Sequence, residues 1–329
     1  MFLGRVGRAA AGTFVSRITG FVRDAAIAYA FGTSASYDAF LVGLFIPQAL
    51  RQVIGEAGFA TAFVPVYAQA RARGEGALFL RAFTRVLLAV LVPLLALGCV
   101  LARLYVPVLA AGFPPEKMRE AVSLASWLFP TIGFASVSAL ASAVLNVHGS
   151  FFLPALAPAV LNLGMAAAAL FLSPWFRPPI FALVAGTLGG GLLSCALLLP
   201  WFYRHYASFP PRTHLEDHQT RRDLWQVGWR LLPAVGGLIV AEANTLVDNR
   251  LASYLPHGSI ATLQYAMRLF QFPLGVLAVS VAAVALPALA DHITRGENTK
   301  FAGMLRRGFL LTAVLMLPAA AGLFLLAQP

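Results

Sequence analysis

The residues best suited to chemistry in this 329-residue sequence are four arginines within long apolar runs: Arg17, Arg23, Arg51 and Arg268. A guanidinium grips phosphate or carboxylate with two parallel hydrogen bonds and stays charged in a poor solvent. At mid-membrane each would cost about 2.5–3.5 kcal/mol, and the four together on the order of 10 kcal/mol, so placement of all four against lipid is unfavourable. Convergence of three or four of them on a polar cavity would suit a pyrophosphate or another dense anionic head group. Asp38 and Glu56, in the second apolar run, would keep such a lining from being wholly positive and are candidates for ion coupling. The competing reading is local pairing and snorkelling. Arg17 and Asp24 are seven apart and share a helical face, while Arg230, Asp248 and Arg250 lie near the ends of their run.

Other chemistry is thin. The six histidines fall in or near connections, and His214 and His218, four apart, sit in a linker, so no metal site is expected. There is no Walker loop, nucleophile elbow or exposed carboxylate pair, so the sequence contains no catalytic residues of a recognisable kind. Cys99 and Cys195 lie in apolar runs, where a thiol behaves as a small hydrophobe, and no disulfide is expected. Gly189, Gly190 and Gly191 are a small-residue patch for close helix packing.

The elements that must position the arginines are membrane helices. Hydrophobic residues make up 59% of the chain and charged residues 11%, with a mean hydropathy of +0.78. That is too little charge for a soluble surface, a disordered scaffold or a nucleic-acid-binding domain, despite a net charge of +11. About 20 apolar residues cross a bilayer core, and this ruler gives nine spans: 9–31, 37–69, 78–110, 121–145, 152–173, 179–203, 225–254, 260–290 and 302–327. Pro47, Pro93 and Pro273 mark expected bends. With the N-terminus inside, fourteen basic residues fall on the cytoplasmic side and four (Arg103, Lys117, Arg119 and Arg177) outside, the bias expected of a cytoplasmic-membrane protein. The polar stretch from His205 to Asp223 becomes the linker between two halves, 1–210 and 211–329.

The chain also repeats itself. Gly32, Ser34 and Pro47 align with Gly258, Ile260 and Pro273 at one offset. After a four-residue slip, Pro65, Ala68, Arg73, Gly74 and Glu75 align with Pro287, Ala290, Arg295, Gly296 and Glu297. Spans one to three therefore resemble spans seven to nine, and the six-span separation makes the repeat parallel, a plan common among secondary transporters. The second unit would hold only three of six helices, so Pro329 is read as the end of a truncated product or fragment.

The stretches "SRITGFVRDAAIAYAFG" (16–32), "YDAFLVGLFIPQALRQVIGEAGFATAFVPVYAQ" (37–69) and "YAMRLFQFPLGVLAVSVAAVALPALA" (265–290) resemble the MurJ/MviN lipid II flippase family, within the multidrug/oligosaccharidyl-lipid/polysaccharide exporter superfamily. The resemblance implies an all-α polytopic transporter of about fourteen helices, two lobes around a cationic cavity. Such a protein translocates the undecaprenyl-pyrophosphate-linked peptidoglycan precursor, lipid II, across the bacterial inner membrane by alternating access, serving cell-wall synthesis and cell shape. It implies no enzyme activity and no cofactor. Coupling would be through Na+, H+ or membrane potential, and partners would be lipid II, membrane lipids and cell-wall synthesis proteins. By motif position, the substrate-binding residues are Arg17, Arg23, Asp38, Arg51 and Arg268, and Asp248 lies where some relatives place an acid in a sodium site. This chain departs from relatives at Met267 and Gln271, where they carry acids, and at Phe45 and Ile46, where they carry a base. An exporter of another polyprenyl-linked saccharide, or a non-transporting truncated membrane protein, is the alternative reading.

Overall fold

The computed structural model describes residues 2–207, 218–274, 285 and 289–326. Helices, turns and bends make up these residues, and no strand occurs among them. The helices, in chain order, are α1 (Phe2–Phe31), α2 (Ala35–Arg51), α3 (Val64–Ala72), α4 (Gly76–Leu109), α5 (Pro115–Leu128), α6 (Thr131–Val147), α7 (Phe152–Ala167), α8 (Phe181–Ala207), α9 (His218–Ala252), α10 (Ser259–Pro273) and α11 (Asn298–Leu326). A π-helical stretch, Gln52–Phe63, joins α2 to α3 without a break, and another, Ala168–Leu172, extends α7. The expected 205–223 linker and the boundary at 210/211 fall largely in residues outside the described set.

Among the described residues, six segments have the length and apolar composition to cross a bilayer: Gly76–Leu109, Pro115–Val147, Phe152–Trp175, Phe181–Arg204, His218–Ala252 and Asn298–Leu325. The first expected span is helical throughout as α1 yet is not among the six. Arg17, Arg23 and Asp24 lie within eight residues of one another, so no long window of α1 is uniformly apolar. The charges that make the helix chemically interesting are the charges that keep it out of these six. The second expected span is divided among α2, the π stretch and α3, and much of 260–290 lies outside the described residues.

The chain divides into two compact units, Met1–Ala261 and Thr262–Pro329. In the first, α1 packs along α7, α7 along α8, α2 along α5, and α9 against the π stretch and α4. The α1 stripe that meets α7 is built of small residues: a methyl on Gly12 would stand 2.6 Å from Ala155 Cβ. The glycine patch on α8 acts likewise through Gly190, which meets Gly164 of α7 at a distance that excludes a side chain. The core is an aromatic cluster in which Phe59, Phe63 and Tyr67, four apart, interleave with Phe79 and Phe83, also four apart on α4. Tertiary packing therefore fixes the register between the end of the α2–α3 helix and the start of α4.

The second unit contains most of α10, then α11. Its described turn between them, around Gly296, repeats the turn around Gly74 bond for bond. Residues Arg73, Gly74, Glu75 and Phe79 donate to the carbonyls of Gln69, Arg71, Ala70 and Glu75, and the residues 222 positions later do the same in the same order. Gly74 and Gly296 both hold positive φ, +83° and +69°, which closes a helix at little steric cost.

Candidate functional site

Two clusters of charge lie inside the first unit, and each gathers residues that the sequence left scattered. The first forms where α1 crosses α7. Arg23, 19% exposed, donates from Nε and one terminal nitrogen to Asp24 Oδ1 at 2.9 and 2.7 Å. Its other terminal nitrogen donates to Asn162 Oδ1 at 2.9 Å. Asn162, from α7, is buried and donates in turn to the Ser16 carbonyl at 3.2 Å. Gly20 faces the Asn162 amide, where a methyl would make an ordinary contact at 3.4 Å. Thr19 turns its hydroxyl back onto the carbonyls of Val15 and Ser16, so this stretch of α1 satisfies its polar groups within the helix pair. The competing reading, in which Asp24 pairs with Arg17 on the same helical face, meets a different arrangement: its carboxylate is engaged by its chain neighbour Arg23.

The second cluster closes one end of the same unit. Ser34 caps α2, accepting from the Tyr37 N–H. That places Asp38 in the first turn, 1% exposed. Asp38 Oδ2 accepts from Lys117 Nζ and from the Gly258 N–H, both at 2.7 Å, and Oδ1 accepts from the Ala261 N–H at 2.8 Å. Gly258 immediately precedes α10 and Ala261 lies in its first turn, so a carboxylate from α2 caps a helix 220 residues away in sequence, where the orphan N–H groups and the helix dipole favour negative charge. Lys117 also lies 4.0 Å from the centre of the Phe113 ring. Gly258, at φ +89°, passes so near Thr33 that any Cβ would fall 2.4 Å from its carbonyl oxygen. Nearby, the Gly112 N–H donates to Ser253 Oγ at 3.0 Å, and Arg250 donates to the Val108 carbonyl at 3.3 Å. Sequence reasoning counted Lys117 among outward charges and missed both it and Asn162. The available signals were that only two residues of this arginine-rich chain are lysines, and that Asn162 is the single polar side chain in α7.

The other candidates lie on separate elements. Arg17 is exposed on α1. Arg51 ends α2, half-buried, with its Nε donating to Gln48 Oε1 at 3.3 Å. Asp248 is exposed on α9. Arg268 is exposed on α10, in the second unit. Glu56 lies in the π stretch, and its side chain is outside the described residues. Among the described residues no three His, Cys, Asp or Glu side chains come together as a metal set. At the opposite end of α9, Arg73 pairs with Glu75 at 3.0 Å and with Asp223, a nearly buried carboxylate that also accepts from Gln219. The Glu75 carboxylate is the main reason the Arg73 guanidinium holds its proton even more firmly than usual.

Set beside known proteins, residues 27–329 match the family model described as lipid II flippase MurJ. The lipid II flippase MurJ of Burkholderia cenocepacia is 33% identical over 324 residues, covering 96% of this chain and 62% of that protein. A probable lipid II flippase MurJ of Haemophilus influenzae is 34% identical, covering 96% of this chain and 65% of its own length. A solved structure titled lipid II flippase MurJ, inward closed conformation, superimposes with a TM-score of 0.78 at 28% identity, covering 97% of this chain and 65% of that one. The chain thus spans a little under two thirds of the length of these relatives.

Proposed function

Because the chain belongs to the lipid II flippase MurJ family, we propose that it carries the substrate-handling part of a flippase. Its cargo is the undecaprenyl-pyrophosphate-linked peptidoglycan precursor, moved across the cytoplasmic membrane by alternating access. The observation that carries this reading is the Arg23 cluster: a guanidinium embedded between two apolar helices, held by Asp24 and Asn162. A guanidinium has five N–H groups, and these partners take three of them. One N–H on each terminal nitrogen is left to meet an oxyanion such as a pyrophosphate oxygen.

On this reading Arg17, Arg23, Arg51 and Arg268 are the substrate-binding residues. Asp38 acts at a distance from the phosphates, as the bolt that holds α2, α5 and the start of α10 together. Alternating access would require the Lys117–Asp38–α10 cluster to open when the outer face opens. We place that cluster at the outer face and the Arg73–Asp223 pair at the cytoplasmic face, with the N-terminus inside, in line with the bias of basic residues. Nine spans here, as two parallel lobes divided near 210, remain the proposed plan. The bond-for-bond identity of the turns at Gly74 and Gly296 supports it. Glu56 and Asp248 are the acids proposed for coupling to Na+, protons or membrane potential.

The test is replacement of the resident flippase in a bacterium that can be depleted of it. The chain is expected to sustain growth, and Arg23→Ala or Arg268→Ala to abolish it. Growth undiminished by either substitution would overturn the reading.

A further inference from the structure

Asn162 stands alone as a polar side chain in α7, whose sequence is FLPALAPAVLNLGMAA. Burying an amide in such surroundings costs about 1–3 kcal/mol unless both its ends are hydrogen-bonded. Both are: Oδ1 accepts from Arg23, and Nδ2 donates to the Ser16 carbonyl about two turns earlier in α1. The amide therefore ties the Arg23 side chain to the backbone of its own helix. An arginine beside a single carboxylate retains freedom about its long stem. Asp24 holds one edge of this guanidinium through a single oxygen, and Asn162 holds the opposite terminal nitrogen, so the plane of the group is fixed from two sides.

We infer that Asn162 is a positioning residue that orients Arg23 toward the pyrophosphate oxygens of a polyprenyl substrate. It acts wholly through Arg23 and touches no substrate itself. The inference rests on the reading of Arg23 as a pyrophosphate ligand. Pre-orientation matters because a rotamer-rich side chain immobilised on binding costs about 0.5–1.5 kcal/mol, and a guanidinium already held in place is spared that loss. A neutral amide is suited to the task, since a second carboxylate at Asn162 would compete with the incoming anion for Arg23.

The experiment is a double-mutant cycle on the full chain in detergent, with undecaprenyl pyrophosphate as the probe and undecaprenol as the uncharged control. Asn162→Leu, close to isosteric and at home in an apolar helix, is expected to weaken undecaprenyl pyrophosphate binding about fivefold to tenfold and to leave undecaprenol binding unchanged. In an Arg23→Ala background the same substitution is expected to have no further effect, the signature of coupled residues. Asn162→Ala serves as the second variant if Leu impairs folding. Full binding by Asn162→Leu, or a loss that simply adds to that of Arg23→Ala, would overturn the inference while leaving Arg23 as a ligand. Unchanged pyrophosphate binding by Arg23→Ala itself would overturn the functional reading beneath it.

Discussion

Asp24 and Asp38 are both carboxylates beside a cation within one helical unit, and they differ in what they leave over. Around Asp38 everything is used: its two oxygens take a lysine and two helix-terminal N–H groups, and its side chain is 1% exposed. Around Asp24 the accounting is open, because it occupies only part of a guanidinium that stays 19% exposed. A buried charge that is fully satisfied holds a structure together, whereas a pre-arranged, partly satisfied one can receive a ligand. Charge type fits the division of labour. The compact ammonium of Lys117 saturates one carboxylate, and the forked guanidinium of Arg23 can serve three partners at once.

The sharpest way to break this comparison is to remove the saturated carboxylate. Asp38→Ala strands the Lys117 charge and frees the N-terminus of α10, and is expected to cost about 3–5 kcal/mol of stability, seen as a marked fall in the unfolding temperature of the detergent-purified protein. Arg23→Ala should behave oppositely. Two lost charge-assisted bonds to substrate, about 1.5–3 kcal/mol each, predict at least a tenfold weaker affinity for undecaprenyl pyrophosphate, with a smaller fall in unfolding temperature than Asp38→Ala, set by the Asn162 amide and Asp24 carboxylate left behind. If Arg23→Ala unfolds as readily as Asp38→Ala, the two clusters are of one kind and the comparison fails. Next comes the Arg73–Asp223 pair, with one partner 37% exposed. Asp223→Asn should cost about 1 kcal/mol, read by faster hydrogen exchange confined to the start of α9.

The smallest effect belongs to the turn before α11, whose counterpart follows α3. There Lys300, and after it His292, hold the Glu297 carboxyl below its usual range. The contribution is present above the ordinary carboxylate range and disappears as the pH falls through the lowered folded-state value. Glu297→Gln should therefore differ slightly from the parent at neutral pH, and the difference should vanish on acidification.

Much of this was legible from the chain. The arginines in apolar runs, the repeated Arg-Gly-Glu turns and the family motifs all depend on local spacing, and the identical hydrogen bonds at Gly74 and Gly296 follow from that local chemistry. What could not be read was partnership across distance. Nothing near Asp38 in sequence announces Lys117, 79 residues on, or the α10 N-terminus beyond 220. Asn162 could be noticed as an oddity in an apolar helix, but its bond to Arg23 depends on the close approach of α1 and α7, which Gly12 permits. The expected first span, α1, falls outside the six apolar segments for a related reason, since Arg17, Arg23 and Asp24 count against the helix when summed alone, although the fold pairs Arg23 with Asp24.

The long helix from Ala35 to Ala72 has one more property, set by its π-helical middle, Gln52–Phe63. Bonds from i to i+5 put an extra residue into each turn. Angular position is therefore no longer conserved along the rod: Arg51 before the stretch and the Phe63–Tyr67 stack after it face directions that ordinary helical counting would not assign. Exchange of one wide turn for an ordinary one would rotate the Arg51 end by about 100° against the end anchored in the aromatic stack, one residue's worth of helical twist. The π stretch thus sets the direction in which Arg51 stands relative to the aromatic stack.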